Sequence, residues 1–351
     1  MSASAIAAAT FPAPLLRGPV PGFQAPFVVQ ADAASADMPL ADIVARLADG
    51  RAWLSGILHE RGALLLRGFN ALRTGEHVEA VARTLSPRLM DYRGGTTVRS
   101  QVTAGVVTAS DAPRIFPIGM HQELSYQTEV PARLIFFCEV PPGGGGQTPL
   151  ADMRAVYRRI PEPVRARFES RGCRLHRLLA FRRRLVGPRT WPEVFGTTDR
   201  SAVEKLAAEH GWELQWLPDG TLRLLNEVRP ASLTHPVTGE RVWFNQAHLL
   251  HPSAIAADLR GDRRYVVAGL VSLAGRLRRN SPRYLTTFGD GTLIPEADLE
   301  AIRAAIRAEM ILFDWQRGDL LVVDNYLMAH GRRPYRGRRR ILASLLAGET
   351  S

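Results

Sequence analysis

Three side chains of this sequence have the chemistry and spacing to hold a metal. The stretch MHQELSYQ (residues 120–127) places His121 and Glu123 two residues apart beside an aromatic, directly after the Pro- and Gly-containing PRIFPIG. Alone, a His-x-Glu is weak evidence, since two polar residues on a strand edge look the same. A second histidine, His330, closes the run GDLLVVDNYLMAH and is followed by a dense arginine cluster. Two imidazoles and one carboxylate on one face form the ligand set of mononuclear non-haem Fe(II) oxygenases. Such a set leaves three adjacent coordination positions open, two for a chelating 2-oxoacid and one for O2. Residues i and i+2 of an extended segment face the same way, so the spacing of His121 and Glu123 suits a strand.

The elements that must position these residues follow from hydrophobic periodicity. Residues 38–60 show helical spacing in Leu40, Ile43, Leu47, Leu54 and Leu58. Further helices are predicted over 75–85, 201–211 and 294–310, the last with Leu299, Ile302, Ile306 and Met310 on one face. Strand-like apolar runs occupy 61–69, 133–142, 240–250, 311–315, 320–330 and 340–348. DYRGGTTVRS (91–100) is broken by glycine and reads as a loop near a site. GGGGQTPLADMRAVYRRI (143–160) reads as a Gly-rich loop leading into a helix. Short strands, few helices and scattered Gly/Pro turns predict a mainly β fold, a barrel or jelly roll with peripheral helices. Residues 1–37 read as a loosely ordered Ala/Pro-rich leader. Residues 38–351 read as one domain, with an insertion or lid at about 170–235.

Composition excludes several classes. The chain has 351 residues, 46% hydrophobic and 23% charged, which suits a globular domain with a sizeable core. No stretch reaches the roughly 18 apolar residues that a membrane span needs. The N-terminal run lacks the basic region of a signal peptide. Cys138 and Cys173 show no CxxC spacing, so a reducing cytoplasm fits. The net charge of +11 is carried by arginine and points to anionic partners: an acidic small molecule, an acidic carrier protein or a nucleic acid. The arginines do not interleave with aromatics as in a nucleic-acid module.

The blocks ERGALLLRGF, DYRGG, MHQELSYQTEVPARLIFFCEVPPGGGGQTPLAD, HPVTGERVWFNQAHLLHP and GDLLVVDNYLMAHGRRPYRGRRRIL run in order from about residue 55 to 348. In them the chain resembles the taurine/2,4-D dioxygenase (TauD/TfdA-like) family, within the clavaminate synthase-like superfamily. The resemblance implies a double-stranded β-helix (cupin-like) core, and Fe(II) held by His121, Glu123 and His330. It also implies 2-oxoglutarate as cosubstrate and O2 as oxidant. Many members carry Asp at the middle ligand and some carry Glu, as here. Family halogenases place a small residue there to admit chloride, so Glu123 argues against halogenation. The remote carboxylate of 2-oxoglutarate suits the bidentate fork of an arginine. The family uses one roughly ten residues past the distal histidine. Arg340 matches best, with Arg338 and Arg339 within a register error of it, and Thr148 matches a threonine that bonds the same carboxylate. Some members hold a sulfonate with an arginine four residues further on. Ser344 stands at that position here, which argues against taurine-like substrates.

The implied activity is hydroxylation of an unactivated C–H on a small amino-acid-derived substrate, free or tethered to an acidic carrier protein, in secondary metabolism. Desaturation or cyclisation on the same iron is the alternative. A nucleic-acid-modifying dioxygenase would need a basic groove with aromatic base-flipping residues, and a non-catalytic barrel would break the triad. Other candidates have plain structural readings beside functional ones. His248 and His251 read first as satisfied barrel residues, Asn245 as a turn residue, and Tyr126 and Trp243 as core. Asp324 and Asn325 either orient a ligand or make a turn. Arg93 and Arg229 are candidates for a substrate carboxylate. GGGG at 143–146 lacks the strand–GK[ST]–helix context of a phosphate cradle. Oligomeric state is not encoded in any recognisable pattern.

Overall fold

The computed structural model describes residues 16–19, 26–92, 95–96, 99–182, 189–261, 266–270, 273 and 283–348. Four apolar runs form neighbouring strands: Ala63–Arg67, Leu320–Asp324, Arg133–Val140 and Arg340–Leu346. They are the centre of an eight-stranded sheet flanked by Leu16–Pro19 and Phe27–Gln30 on one side and by Val106–Thr108 and Gln101–Thr103 on the other. Successive residues of a strand face opposite ways, so each run serves two cores. Leu65, Leu134, Phe136, Leu321, Val323 and Ile341 face the barrel interior. Leu64, Leu66, Ile135, Phe137, Leu320 and Val322 pack with the helices Leu40–Asp49, Arg51–Arg61 and Gly75–Leu85. Burial on both faces is why these strands read as continuous apolar runs rather than as alternation.

The facing sheet has four strands in the order Met310–Ile311, Leu150–Asp152, Met328–Arg332 and Ile118–His121. Its Met120, Leu150, Ala151, Met328 and Ala329 join the interior core. Two facing, mainly antiparallel sheets with helices outside give the expected double-stranded β-helix. No helix of the described residues is long and apolar enough to cross a membrane.

The sequence boundaries need three corrections. Phe27–Gln30 pairs in parallel with Ala63–Arg67, so ordered structure begins inside the stretch read as a loose leader. Four residues flanked by Pro and Ala are too short a run to show a period. The stretch 38–60 is two helices, divided at Gly50, whose N–H bonds back to Arg46 O. The inserted region has its own sheet, built from Glu213–Trp216, Leu222–Leu225, Cys173–Leu179 and Tyr284–Phe288. Its last strand lies well past residue 235, because Tyr284–Phe288 pairs with Cys173–Leu179. Trp191, Val203, Trp212, Leu222 and Leu224 form a small separate core there.

Gly331 marks the closest approach within the smaller sheet. A Cβ there would lie 2.7 Å from Ile118 O and 3.4 Å from Gly119 O, both backbone atoms. Gly331→Ala therefore has to spread the two strands that carry His121 and His330. The expected cost is about 1–3 kcal/mol, read as a lower midpoint in denaturant unfolding. An unchanged midpoint would show that these strands tolerate separation.

Candidate metal centre

The strands Met328–Arg332 and Ile118–His121 pair with His330 directly opposite His121. The two rings face each other with centroids 4.5 Å apart, and Phe136 closes on His330 at 4.9 Å. His121 Nδ1–H donates to Gly119 O at 2.9 Å. With Nδ1 committed, Nε2 is the nitrogen left to coordinate, and its orientation is fixed. Burial pushes the pKa of His330 well below the ordinary value, helped by His121 and Arg99. Its imidazole is therefore neutral, the form a metal requires.

Glu123 is not on the strand. The strand ends at His121, and Glu123 sits in the turn that follows, beside Leu124 at φ 57°. A non-glycine residue in that region costs about 1–2 kcal/mol, offset here by burial of the Leu124 side chain. The turn is held from below by Asn325. Its Oδ1 accepts from Glu123 N–H at 2.7 Å, and its Nδ2 donates to Glu123 O at 3.0 Å and to Pro131 O at 2.8 Å. Gln122, fully buried, donates to Trp243 O and Tyr326 O, each at 2.9 Å. Asn325 thus orients a candidate ligand, whereas Asp324 makes the turn: its Oδ1 accepts from Tyr326 and Leu327 N–H.

His121, Glu123 and His330 bring one donor atom each to within 4.8 Å of one another. A buried carboxylate and two imidazoles, one of them with an unpartnered buried Nδ1, are costly to collect without a cation. In this arrangement the guanidinium of Arg99 supplies that charge, 2.5 Å from Glu123 Oε2. The donor set fits a divalent metal of the Fe(II) class.

A cavity of about 400 Å³ opens on His121 and His330 and is also lined by Arg99, Phe136, Thr148, Arg332 and Arg339. Arg339 Nη2 donates to Thr148 Oγ1 at 3.3 Å and Nε donates to Gly146 O at 2.9 Å. Both acceptors are neutral, and burial lowers the Arg339 pKa to about 10. Arg340, the arginine that the resemblance matches best, is outside this cavity, whereas Arg339 lines it. It pairs with Glu139 at 2.9 Å and is 49% exposed. Ile341, Ala343 and Leu345 face the interior core, and Arg339, two residues before Ile341, falls on their side. A shift of one residue turns a side chain to the other face. The position four residues past Arg339 is Ala343, apolar and buried. Ser344 faces away from the interior and donates to Gly105 O.

The other candidates resolve into structural roles. His248 Nε2 bonds to Met120 O at 2.8 Å, and burial lowers its pKa to about 4. His251 bonds to Ser253 Oγ. Asn245 spends both polar ends on the backbone of Ala231 and Ala247. Trp243 is fully buried against Phe168. Arg229 meets Glu227 near the surface. Arg93 lies outside the described residues. Arg99 was not singled out in the sequence, although the loop that carries it was read as lying near a site. A larger cavity of about 600 Å³ is lined by Ile118, Met120, His248 and Arg303 and by none of the three metal-ligand candidates.

Residues 22–346 match the family described as taurine catabolism dioxygenase TauD, TfdA. The chain is 32% identical over 292 residues to the dapdiamide synthesis protein DdaC of Enterobacter agglomerans, covering 83% of each chain. It is 32% identical over 299 residues to a clavaminate synthase-like protein of Arabidopsis thaliana, covering 84% of each. In fold it is similar to AAD-2 in complex with Mn(II) and N-oxalylglycine, with a TM-score of 0.53 at 15% identity over 95% of this chain and 97% of that one.

Asn325→Ala removes the clamp on the Glu123 peptide without touching any of the three donor side chains. Metal affinity is expected to fall about 10- to 100-fold, measured by Mn(II) titration. An affinity within twofold of the parent would mean that the turn holds Glu123 without it.

Proposed function

The chain belongs to the TauD/TfdA family of Fe(II)/2-oxoglutarate-dependent dioxygenases, and from that premise we propose that it hydroxylates an unactivated C–H of a small, amino-acid-derived substrate in secondary metabolism. In this reading Fe(II) is held by His121, Glu123 and His330. The observation that carries it is the convergence of those three donors beside a cavity in which a buried arginine bonds only to neutral oxygens. Fe(II) and 2-oxoglutarate supply the dioxygen chemistry, in which the cosubstrate becomes succinate and CO2 and one oxygen atom enters the substrate.

The chain's own residues do the binding. Arg339 pairs with the C5 carboxylate of 2-oxoglutarate, and Thr148, which also accepts from Trp315 Nε1 at 3.0 Å, adds its hydroxyl. Phe136 packs on the His330 ring, and Leu124 joins the same apolar interior. The natural-product context is supported by DdaC, named for dapdiamide synthesis. The net charge of +11 suits either a free acidic substrate or one tethered to an acidic carrier protein. Ala343 in the interior gives no second anion receptor on the final strand, which argues against a taurine-like sulfonate. Desaturation or ring closure would use the same residues. The two cysteines, buried and unpaired with thiol pKa values pushed up to about 12 by burial, suit a reducing cytoplasm.

Anaerobic addition of Fe(II) and 2-oxoglutarate should produce the weak visible charge-transfer band of a chelated 2-oxoacid. His121→Ala should abolish it. Arg339→Ala should raise the 2-oxoglutarate concentration for half-saturation by about 30-fold or more, the scale of an unpaired buried charge. Arg340→Ala, at a half-exposed surface pair, should leave it within about twofold. No band in the metal-loaded parent would overturn the reading. The reverse ranking of the two arginines would return the carboxylate to Arg340.

A further inference from the structure

We infer that Arg99 is the receptor for a free carboxylate on the primary substrate, an inference that rests on the function proposed above and deepens it. The side chain of Arg99 is only 5% exposed, and its single ion-pair partner among the described residues is Glu123. Its guanidinium lies 3.9 Å from the centroid of the Tyr92 ring, and Nε and Nη1 meet no acceptor at hydrogen-bonding geometry. It lines the same cavity as His121, His330, Thr148 and Arg339.

The charge balance of that cavity changes when the metal arrives. Without metal, Arg99 and Glu123 neutralise each other. A divalent ion takes the Glu123 charge and leaves one positive charge, which the chelating carboxylate of the 2-oxoacid cancels. Arg339 and the remote carboxylate cancel one another. Arg99 is then a buried guanidinium beside a cation, with its counter-charge spent, which is unfavourable unless an anion enters. Arg332 does not compete for that anion in the same way. Its Nη1 donates to Ala112 O, and its Nη2 donates to Pro113 O and Phe116 O, tying down the loop before the ligand strand. Arg99 Nε and Nη1 have no acceptor at hydrogen-bonding geometry, Tyr92 being the other polar group beside the guanidinium, and a guanidinium edge matches a carboxylate bidentately. The cavity also houses the cosubstrate, so the acid is small.

The consequence separates the two substrate forms left open above. A thioester on a carrier has lost the α-carboxylate of its amino acid. The Arg99 geometry therefore favours a free amino acid, or a tethered one with a side-chain carboxylate.

The test uses the full chain, anaerobic, loaded with Fe(II) and 2-oxoglutarate. The probes are the proteinogenic L-amino acids and short dicarboxylic acids, each beside the carboxamide made from its acid. The readouts are perturbation of the charge-transfer band and thermal stabilisation of the Mn(II)-loaded protein. At least one acid is expected to bind, with its carboxamide about tenfold weaker or worse. Arg99→Gln should erase that difference, Arg99→Lys should restore part of it, and half-saturation by 2-oxoglutarate should stay within about threefold, since its carboxylates are held elsewhere. Three results would overturn the assignment: no acid binds, carboxamides bind as well as acids, or both variants weaken 2-oxoglutarate itself. Absence of the band in the parent protein is a different failure, and it removes the proposed function along with this inference.

Discussion

His330 sits opposite His121 in one antiparallel strand pair, and the rest of the site depends on that register. A slip of one residue would turn a ring to the other face of the sheet. Three features resist the slip. Gly331 lets the two backbones close to a distance that no Cβ would permit. Leu150–Asp152 pairs with the other edge of Met328–Arg332 and fixes it from behind. The turn before His330 is closed by Asp324, which accepts from two successive N–H groups. The same turn presents Asn325 to the peptide of Glu123. One short turn thus sets the entry of one candidate ligand strand and the height of the third donor. The three donors come from distant parts of the sequence yet share a single local support.

Charge is the second constraint. The cavity gathers Arg99, Arg332 and Arg339, and Glu123 pairs with the first of them. A desolvated site with more cations than anions is poorly solvated alone and well suited to acids. The fold tolerates the imbalance by treating each guanidinium differently. Arg332 is bonded to main-chain carbonyls, Arg339 to a carbonyl and a hydroxyl, and Arg99 to the carboxylate itself. The first is tied to the backbone, the second would meet the remote carboxylate of the cosubstrate in the proposed function, and the third pairs with Glu123. A basic sequence therefore acquires local meaning only where the arginines are buried. A surface pair such as Arg88–Glu129 contributes little.

Much of this was legible in the sequence because the signals were chemical or periodic. The runs LLVVD and RLIFFCEV announced strands buried on both faces, and the face of Leu299, Ile302 and Ile306 announced its helix. His121, Glu123 and His330 could be named because few other roles need that set of residue types. What the sequence concealed was orientation. In RRRIL nothing local distinguishes Arg339 from Arg340; the parity comes from which face of the final strand packs on the barrel interior, a tertiary fact. The strand argument for His121 and Glu123 is incomplete, since Glu123 follows the strand in a turn with Leu124 in left-handed conformation. Arg99 was hidden more thoroughly. A single arginine in a Gly-broken loop looks solvated, and only the long-range contact with Glu123 shows otherwise.

The walls of the site divide between two architectures, and this bears on how selectivity arises. The metal-facing wall belongs to the barrel, where strands packed on both sides leave little freedom. Tyr126 ends the turn that carries Glu123, and its hydroxyl pKa is pushed well up by burial. Arg177, on the added sheet, reaches to 5.9 Å from that ring and 5.4 Å from Trp212. Tyr284 stands on the neighbouring strand, opposite Arg177 in register. Leu179, Leu222 and Leu224 of that sheet belong to the small core, while its Cys173, Leu175 and Phe288 pack into the barrel interior. A rigid scaffold with more variable segments set on it is the usual division between chemistry and substrate choice. Arg99 stands at the seam: its loop is irregular, but its guanidinium is held against Glu123 in the barrel. A residue so placed can make substrate binding answer to the state of the metal.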